Sequence, residues 1–135
     1  MKVTGIDHIG IFVTDLDAAL RFYTETCGLE AGPVETRVEP PIRRCCLRIG
    51  DAELELIEAR DPEQTMMRAL PHRSPGVYHV GLRVEDVDAA AQELRAGGVP
   101  LLDTVREGGD MRIQYLHPDA AHGALIELVT RKKAR

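Results

Sequence analysis

The chain has 135 residues, with 17 Lys and Arg against 22 Asp and Glu and a net charge of −5. At 44% hydrophobic and 29% charged residues it has ordinary globular composition, sized for one domain or two small halves sharing a core. The acidic balance argues against general nucleic-acid binding, and no apolar run approaches the roughly 18 residues of a membrane span.

The N-terminal stretch MKVTGIDHIG lacks a long apolar run ending in small residues, so no secretory leader is expected. Val3–Val13 alternates as a strand does. Ile9, Ile11 and Val13 share one face with Asp7, and Ile6, His8, Gly10 and Phe12 share the other. Thr14 or Asp15 then caps a helix carrying Leu16, Ala19, Leu20 and Tyr23 at helical spacing, and Gly28 stops it. AGPVETRVEPP reads as a strand start broken by prolines. IRRCCLRIG and AELELIEA read as two strands joined at Gly50-Asp51. A short helix over Pro62–Leu70 and a Pro/Ser/Gly linker follow.

Val77–Val84 is the next predicted strand, and Asp86–Ala96 a helix ended by Gly97-Gly98. VPLLDTVREGG is a strand and loop, DMRIQYLHP a strand, and GALIELVTR the last strand. Cys27, Cys45 and Cys46 are odd in number and form no C-x-x-C pair. Free buried thiols in a reducing cytoplasm are therefore expected. The basic tail RKKAR reads as a solvated chain end.

The two halves are copies. GIDHIGIFVTDLDAAL (Gly5–Leu20) returns as GVYHVGLRVEDVDAAA (Gly76–Ala91) after a shift of 71 residues, with eight identities in sixteen positions, among them His8/His79 and Gly10/Gly81. LELI at Leu54–Ile57 matches IELV at Ile126–Val129 with a shift of 72, which aligns Glu55 with Glu127. Two copies are too few for a solenoid and suggest half-domains that close on each other.

Each copy thus carries one histidine on its first strand and one glutamate on its last. The apolar neighbours of each (Val80, Leu82 and Val84 around His79, for example) alternate with it, so all four polar groups take the face opposite the helices. Two imidazoles and two carboxylates converging on one face suit a divalent transition ion with open positions for substrate. A single strand histidine is usually structural, and the duplicated set on one parity is what favours a metal. His72, His117 and His122 lie in turn-like segments outside this set.

These features resemble the vicinal oxygen chelate superfamily, which includes glyoxalases, extradiol dioxygenases, antibiotic-resistance proteins and methylmalonyl-CoA epimerases. The likeness covers nearly the whole chain. GDAELELIEARDP, YHVGLRVEDVDAAAQELRAGGVPLLD and YLHPDAAHGALIELV are most similar to the methylmalonyl-CoA epimerase family. The resemblance implies an α+β fold in which two pseudo-symmetric βαβββ modules curve their sheets around a shared metal-binding cavity. It implies one domain over 1–135, with modules at about 1–60 and 76–131 and a linker at about 61–75.

Carried over residue by residue, the metal ligands are His8, Glu55, His79 and Glu127, and the ion is cobalt, manganese, nickel or zinc. Glu39 falls near the epimerases' non-ligand active-site glutamate, and Glu127 or a water is the expected second base. The chain departs from the epimerases at Pro40-Pro41, at Tyr78 and at DAAHG, all expected to line the substrate cavity. The activity implied is epimerisation of a 2-substituted malonyl-CoA thioester through a metal-stabilised enolate, in a cytoplasmic homodimer with no nucleic-acid or membrane partner.

Two alternatives stay open: a glyoxalase-like isomerase or lyase acting on a thiol conjugate, and a metal-free binding or resistance protein. Aromatic residues are 4% of the chain, which disfavours the stacking walls of the second. A basic rim of Arg43, Arg44, Arg48, Arg68 and Arg73 is expected to meet substrate phosphates or carboxylates.

Overall fold

The structure, a computed structural model, describes residues 1–61 and 75–133. The helix expected over Pro62–Leu70, together with Arg68, His72 and Arg73, lies outside the described residues. The class is α+β, as predicted. The described residues form two compact units, Met1–His8 with His79–Arg135, and Ile9–Tyr78. Strand β1 (Val3–Phe12) contributes to both, because its first residues lie with the second sequence copy.

The unit holding the second copy contains β6 (Gly76–Val84) from His79 onward, α2 (Val87–Ala96), β7 (Leu101–Gly108), β8 (Met111–Leu116) and β9 (Ile126–Arg131). Its strand order is β6-β9-β8-β7, with β1 beside β6. Strand β9 runs parallel to β6, with Gly81 opposite Glu127, and antiparallel to β8, with Tyr115 opposite Glu127. Helix α2 starts where Asp86 accepts a hydrogen bond from the Ala89 amide at 3.1 Å. Its buried face, Val87 and Ala90, packs on Val84 and Leu128. Met111, Ile113, Tyr115 and Val129 form a separate cluster.

Strand β7 carries an irregularity between Leu102 and Arg106, with Asp103 at φ 67°. Gln114, fully buried, repairs it: its amide donates to the carbonyls of Leu102 and Asp103, both at 3.1 Å. The last strand is shorter than predicted and begins at Ile126. Residues 117–124 form consecutive turns instead, with Ala120 N–H donating to the His117 carbonyl and Gly123 N–H to that of Pro118. Two left-handed residues, His122 at φ 56° and Gly123 at φ 95°, break the extended run there.

The other unit contains the end of β1, α1 (Leu16–Arg21), β2 (Glu30–Ala31), β3 (Glu35–Arg37), β4 (Ile42–Ile49) and β5 (Ala52–Ala59). Its strand order is β2-β4-β5-β1, and β3 also pairs with β4. The proline-broken segment is therefore two short strands against one long one. Asp15 caps α1 through the Ala18 amide at 3.0 Å, and the helix runs into a π-helical turn, Phe22–Thr26, before Gly28 at φ 72° ends it. Leu16, Cys45, Leu47 and Leu56 form the core, with Ile11, Val13 and Leu20 packed on it, so the predicted helix-facing parity of Ile11 and Val13 is observed.

Candidate metal centre

His8, His79 and Glu127 come together in one unit, each 2 or 3% exposed. The duplicated first strands bring the two histidines side by side: their Nε2 atoms are 2.8 Å apart and their rings stand at 90°. The parallel register of β9 against β6 brings Glu127 over them, with Oε1 3.5 Å from His8 Nε2 and Oε2 3.5 Å from His79 Nε2.

This arrangement fits an ion. Imidazole nitrogens bind divalent metals at about 2.0–2.1 Å, so two adjacent ligands at a right angle sit about 2.9 Å apart. The observed separation is close to that. His8 and His79 belong to a group of side chains that could hold a metal ion. Gly81 completes the cradle: a Cβ there would fall 2.5 Å from His8 Cε1, so only glycine leaves room for the ring. The Tyr115 ring stands edge-on to His79 with centroids 5.9 Å apart.

Two further residues, neither expected at the site from the sequence, adjoin the histidines. Asp7, fully buried, lies with Oδ1 2.8 Å from His8 Nδ1. Arg131 donates to the same carboxylate from 124 residues away. The only signal in the sequence was an acid among the apolar positions of a buried strand.

Glu55, the fourth predicted ligand, belongs to the other unit. It is 9% exposed on β5, opposite Cys46 on β4. Arg44 Nε donates to it at 2.8 Å and also binds Glu35. Burial is the largest influence on Arg44 and opposes its charge, but Glu55, Cys46 and Glu35 together outweigh it and the guanidinium is held more firmly protonated than usual. Burial pushes the neighbouring Cys46 thiol up to about 12, so it is not a thiolate at neutral pH. Glu39 is exposed in the turn that follows β3.

The described arginines of the expected basic rim have partners within the chain. Besides Arg44, Arg43 pairs with Asp17 and Glu58, and Arg48 Nε donates to the Gly50 carbonyl. His117 accepts from the Asp119 amide within its turn.

Residues 7–115 match the family described as the Glyoxalase/Bleomycin resistance protein/Dioxygenase superfamily. The chain belongs to this superfamily. It is 36% identical to a 2-epi-5-epi-valiolone epimerase of an Actinomyces species, over 92% of this chain and 79% of that one. It is 26% identical to the ethylmalonyl-CoA/methylmalonyl-CoA epimerase of Cereibacter sphaeroides, over 91% and 95%. A solved methylmalonyl-CoA epimerase in complex with methylmalonyl-CoA and ammonium matches with a TM-score of 0.88 at 37% identity, covering 99% of each chain.

Proposed function

We propose that this chain is a metal-dependent epimerase that removes the proton alpha to a carbonyl and returns it on the opposite face. Its substrate on this reading is a 2-substituted malonyl-CoA thioester such as methylmalonyl-CoA. The observation that carries the reading is the buried pair of Nε2 atoms 2.8 Å apart beside the Glu127 carboxylate. The named relatives above are all epimerases, which favours this reading over a glyoxalase-like isomerase or a metal-free binding protein.

His8, His79 and Glu127 hold one divalent ion, with Glu55 as the fourth ligand by its place in the repeat. When bound, such an ion draws charge from carboxylate and carbonyl oxygens and so makes an adjacent C–H acidic. Glu39 would take the proton on one face, and a water, or Glu127 after taking a proton from solvent, would return one on the other. Glu39 is exposed in its turn, and Glu127 is buried next to the histidines. The chain is one domain over 1–135, its modules at about 1–60 and 76–131. The reading extends to a cytoplasmic homodimer, supported for the location by three free cysteines (of the thiols expected to be buried, Cys45 is, Cys46 is half-buried and Cys27 is exposed) and by the family resemblance for the dimer. No described helix is long and apolar enough to cross a membrane.

A second reading keeps the chemistry and changes the substrate. Its support is the 36% identity to the valiolone epimerase, and its substrate would be a cyclic ketone in place of the thioester. Deuterium exchange decides between them. Metal-loaded protein is incubated in D2O with methylmalonyl-CoA, with 2-epi-5-epi-valiolone, and with the hemithioacetal of glutathione and methylglyoxal. Alpha-deuteration of the thioester is expected. Exchange of the cyclic ketone alone transfers the assignment to the second reading, and isomerisation of the hemithioacetal alone overturns both.

A further inference from the structure

The metal reading leaves unexplained a fully buried carboxylate directly before the first histidine. Asp7 Oδ1 lies 2.8 Å from His8 Nδ1. The same carboxylate is gripped by Arg131, whose Nε donates to Oδ2 at 2.9 Å and Nη2 to Oδ1 at 3.0 Å. Arg131 is fixed at its other end, where Nη1 donates to both oxygens of Asp110 at 3.1 and 3.2 Å. A two-pronged guanidinium–carboxylate pair has a defined plane, so Asp7 cannot swing away from the ring it faces.

The internal repeat shows that this arrangement was not copied with the ligands. Under the shift of 71 that aligns His8 with His79, Asp7 aligns with Tyr78. Under the shift of 72 that aligns Glu55 with Glu127, Arg131 aligns with Ala59. Both halves of the clamp are therefore specific to one copy, although the histidine and glutamate they surround are shared by both.

We propose that Asp7, held by Arg131, is a positioning residue that locks His8 in the tautomer with the proton on Nδ1. The Nε2 lone pair is then free to face His79 Nε2 and Glu127. The proposal rests on the metal reading above and deepens it. A neutral imidazole has one protonated and one free nitrogen, and a fixed carboxylate acceptor at Nδ1 selects which. Preselection removes the cost of turning or re-protonating the ring when an ion binds. An asparagine at position 7 cannot replace the carboxylate: both of its oxygens are used as acceptors, and a side-chain amide would set N–H against N–H on one side.

The test uses the full chain and has two readouts. The first is the nitrogen-15 spectrum of the histidine rings in metal-free protein, and the second is the dissociation constant of Co2+ by titration calorimetry. In the wild type, His8 is expected with its proton on Nδ1. Asp7→Asn is expected to lose that preference and to weaken Co2+ binding roughly 10–100-fold, the usual effect of losing a ligand's outer partner. Arg131→Lys keeps the charge, loses the fork and is expected to give a smaller weakening. Arg112→Met, which breaks an ion pair with Asp88, is expected to leave both readouts unchanged.

An aspartate that served only folding would lower the melting temperature of Asp7→Asn with tautomer and Co2+ affinity unmoved, and that result overturns the proposal. A wild-type His8 protonated on Nε2 overturns it too, even if Asp7→Asn does not fold. A wild type that binds no Co2+ but shows the Nδ1 tautomer sinks the metal reading and leaves the clamp standing.

Discussion

His79, Gly81 and Glu39 test three different jobs. His79→Ala removes a nitrogen from the pair and should cost most of the bound ion, read by metal analysis after gel filtration, because outer partners cannot supply a missing ligand. Gly81→Ala changes no ligand. Its new Cβ would stand 2.5 Å from His8 Cε1, so the ring must move, and Co2+ binding should weaken about 10–100-fold in a protein that still folds. Glu39→Gln should keep the ion and slow alpha-proton exchange by roughly 10²–10⁴, the range for a positioned general base. Unchanged exchange would return Glu39 to an ordinary exposed turn residue. The two histidines were legible from their duplication, whereas Asp7 was not, because its partner is 124 residues distant and hydrogen bonds across a fold leave no periodicity.

The helices and strands are tied by a second set of copied contacts. Glu58 at the end of β5 accepts from the Leu16 amide at 2.7 Å, and Thr130 near the end of β9 accepts from the Val87 amide at 3.0 Å. Positions 58 and 130 are related by the same shift of 72 as the glutamates, so each last strand caps the first turn of the helix in its own unit. Thr130→Val should therefore destabilise by about 0.5–2 kcal/mol in urea unfolding. The β7 irregularity gives a larger effect. Gln114→Leu removes the donor from the part-buried hydrogen bonds to the Leu102 and Asp103 carbonyls, at about 0.5–1.5 kcal/mol for each. A loss under 0.5 kcal/mol would mean that water reaches those carbonyls. Strand alternation and capping residues announced these elements, but the irregularity and the turns at 117–124 did not show in the pattern. Left-handed Asp103 and His122 are permitted by their residue types without being demanded by them.

For the molecule as a whole, acid sensitivity follows from surface carboxylates that are held ionised. Hydrogen bonding from Arg112 lowers the Asp88 pKa below 3.8, and hydrogen bonding from Lys132 and then Arg112 lowers that of Glu107 below 4.5. A depressed folded value means that the unfolded chain takes up the proton first on acidification. The stabilisation is then complete above about 4.5 and is lost as pH falls through the folded values. Thermal melts should fall below that pH, with a shallower slope in Arg112→Met and in high salt, which screens exposed pairs. An identical slope in the variant would remove these pairs from the account.

The sequence by itself determined the duplication, the βαβββ order, the helix caps, the histidine and glutamate pairs and the likeness to the superfamily. All of these are local patterns or comparisons between segments, and the backbone periods of 2.0 and 3.6 write them into the order of residues. Tertiary structure decided which partners those residues met. It put His8 and His79 nitrogen to nitrogen, closed Arg131 on Asp7 and paired Arg43 with Glu58 and Arg44 with Glu55. Such pairings depend on register and strand order, which bring together residues that no spacing along the chain relates.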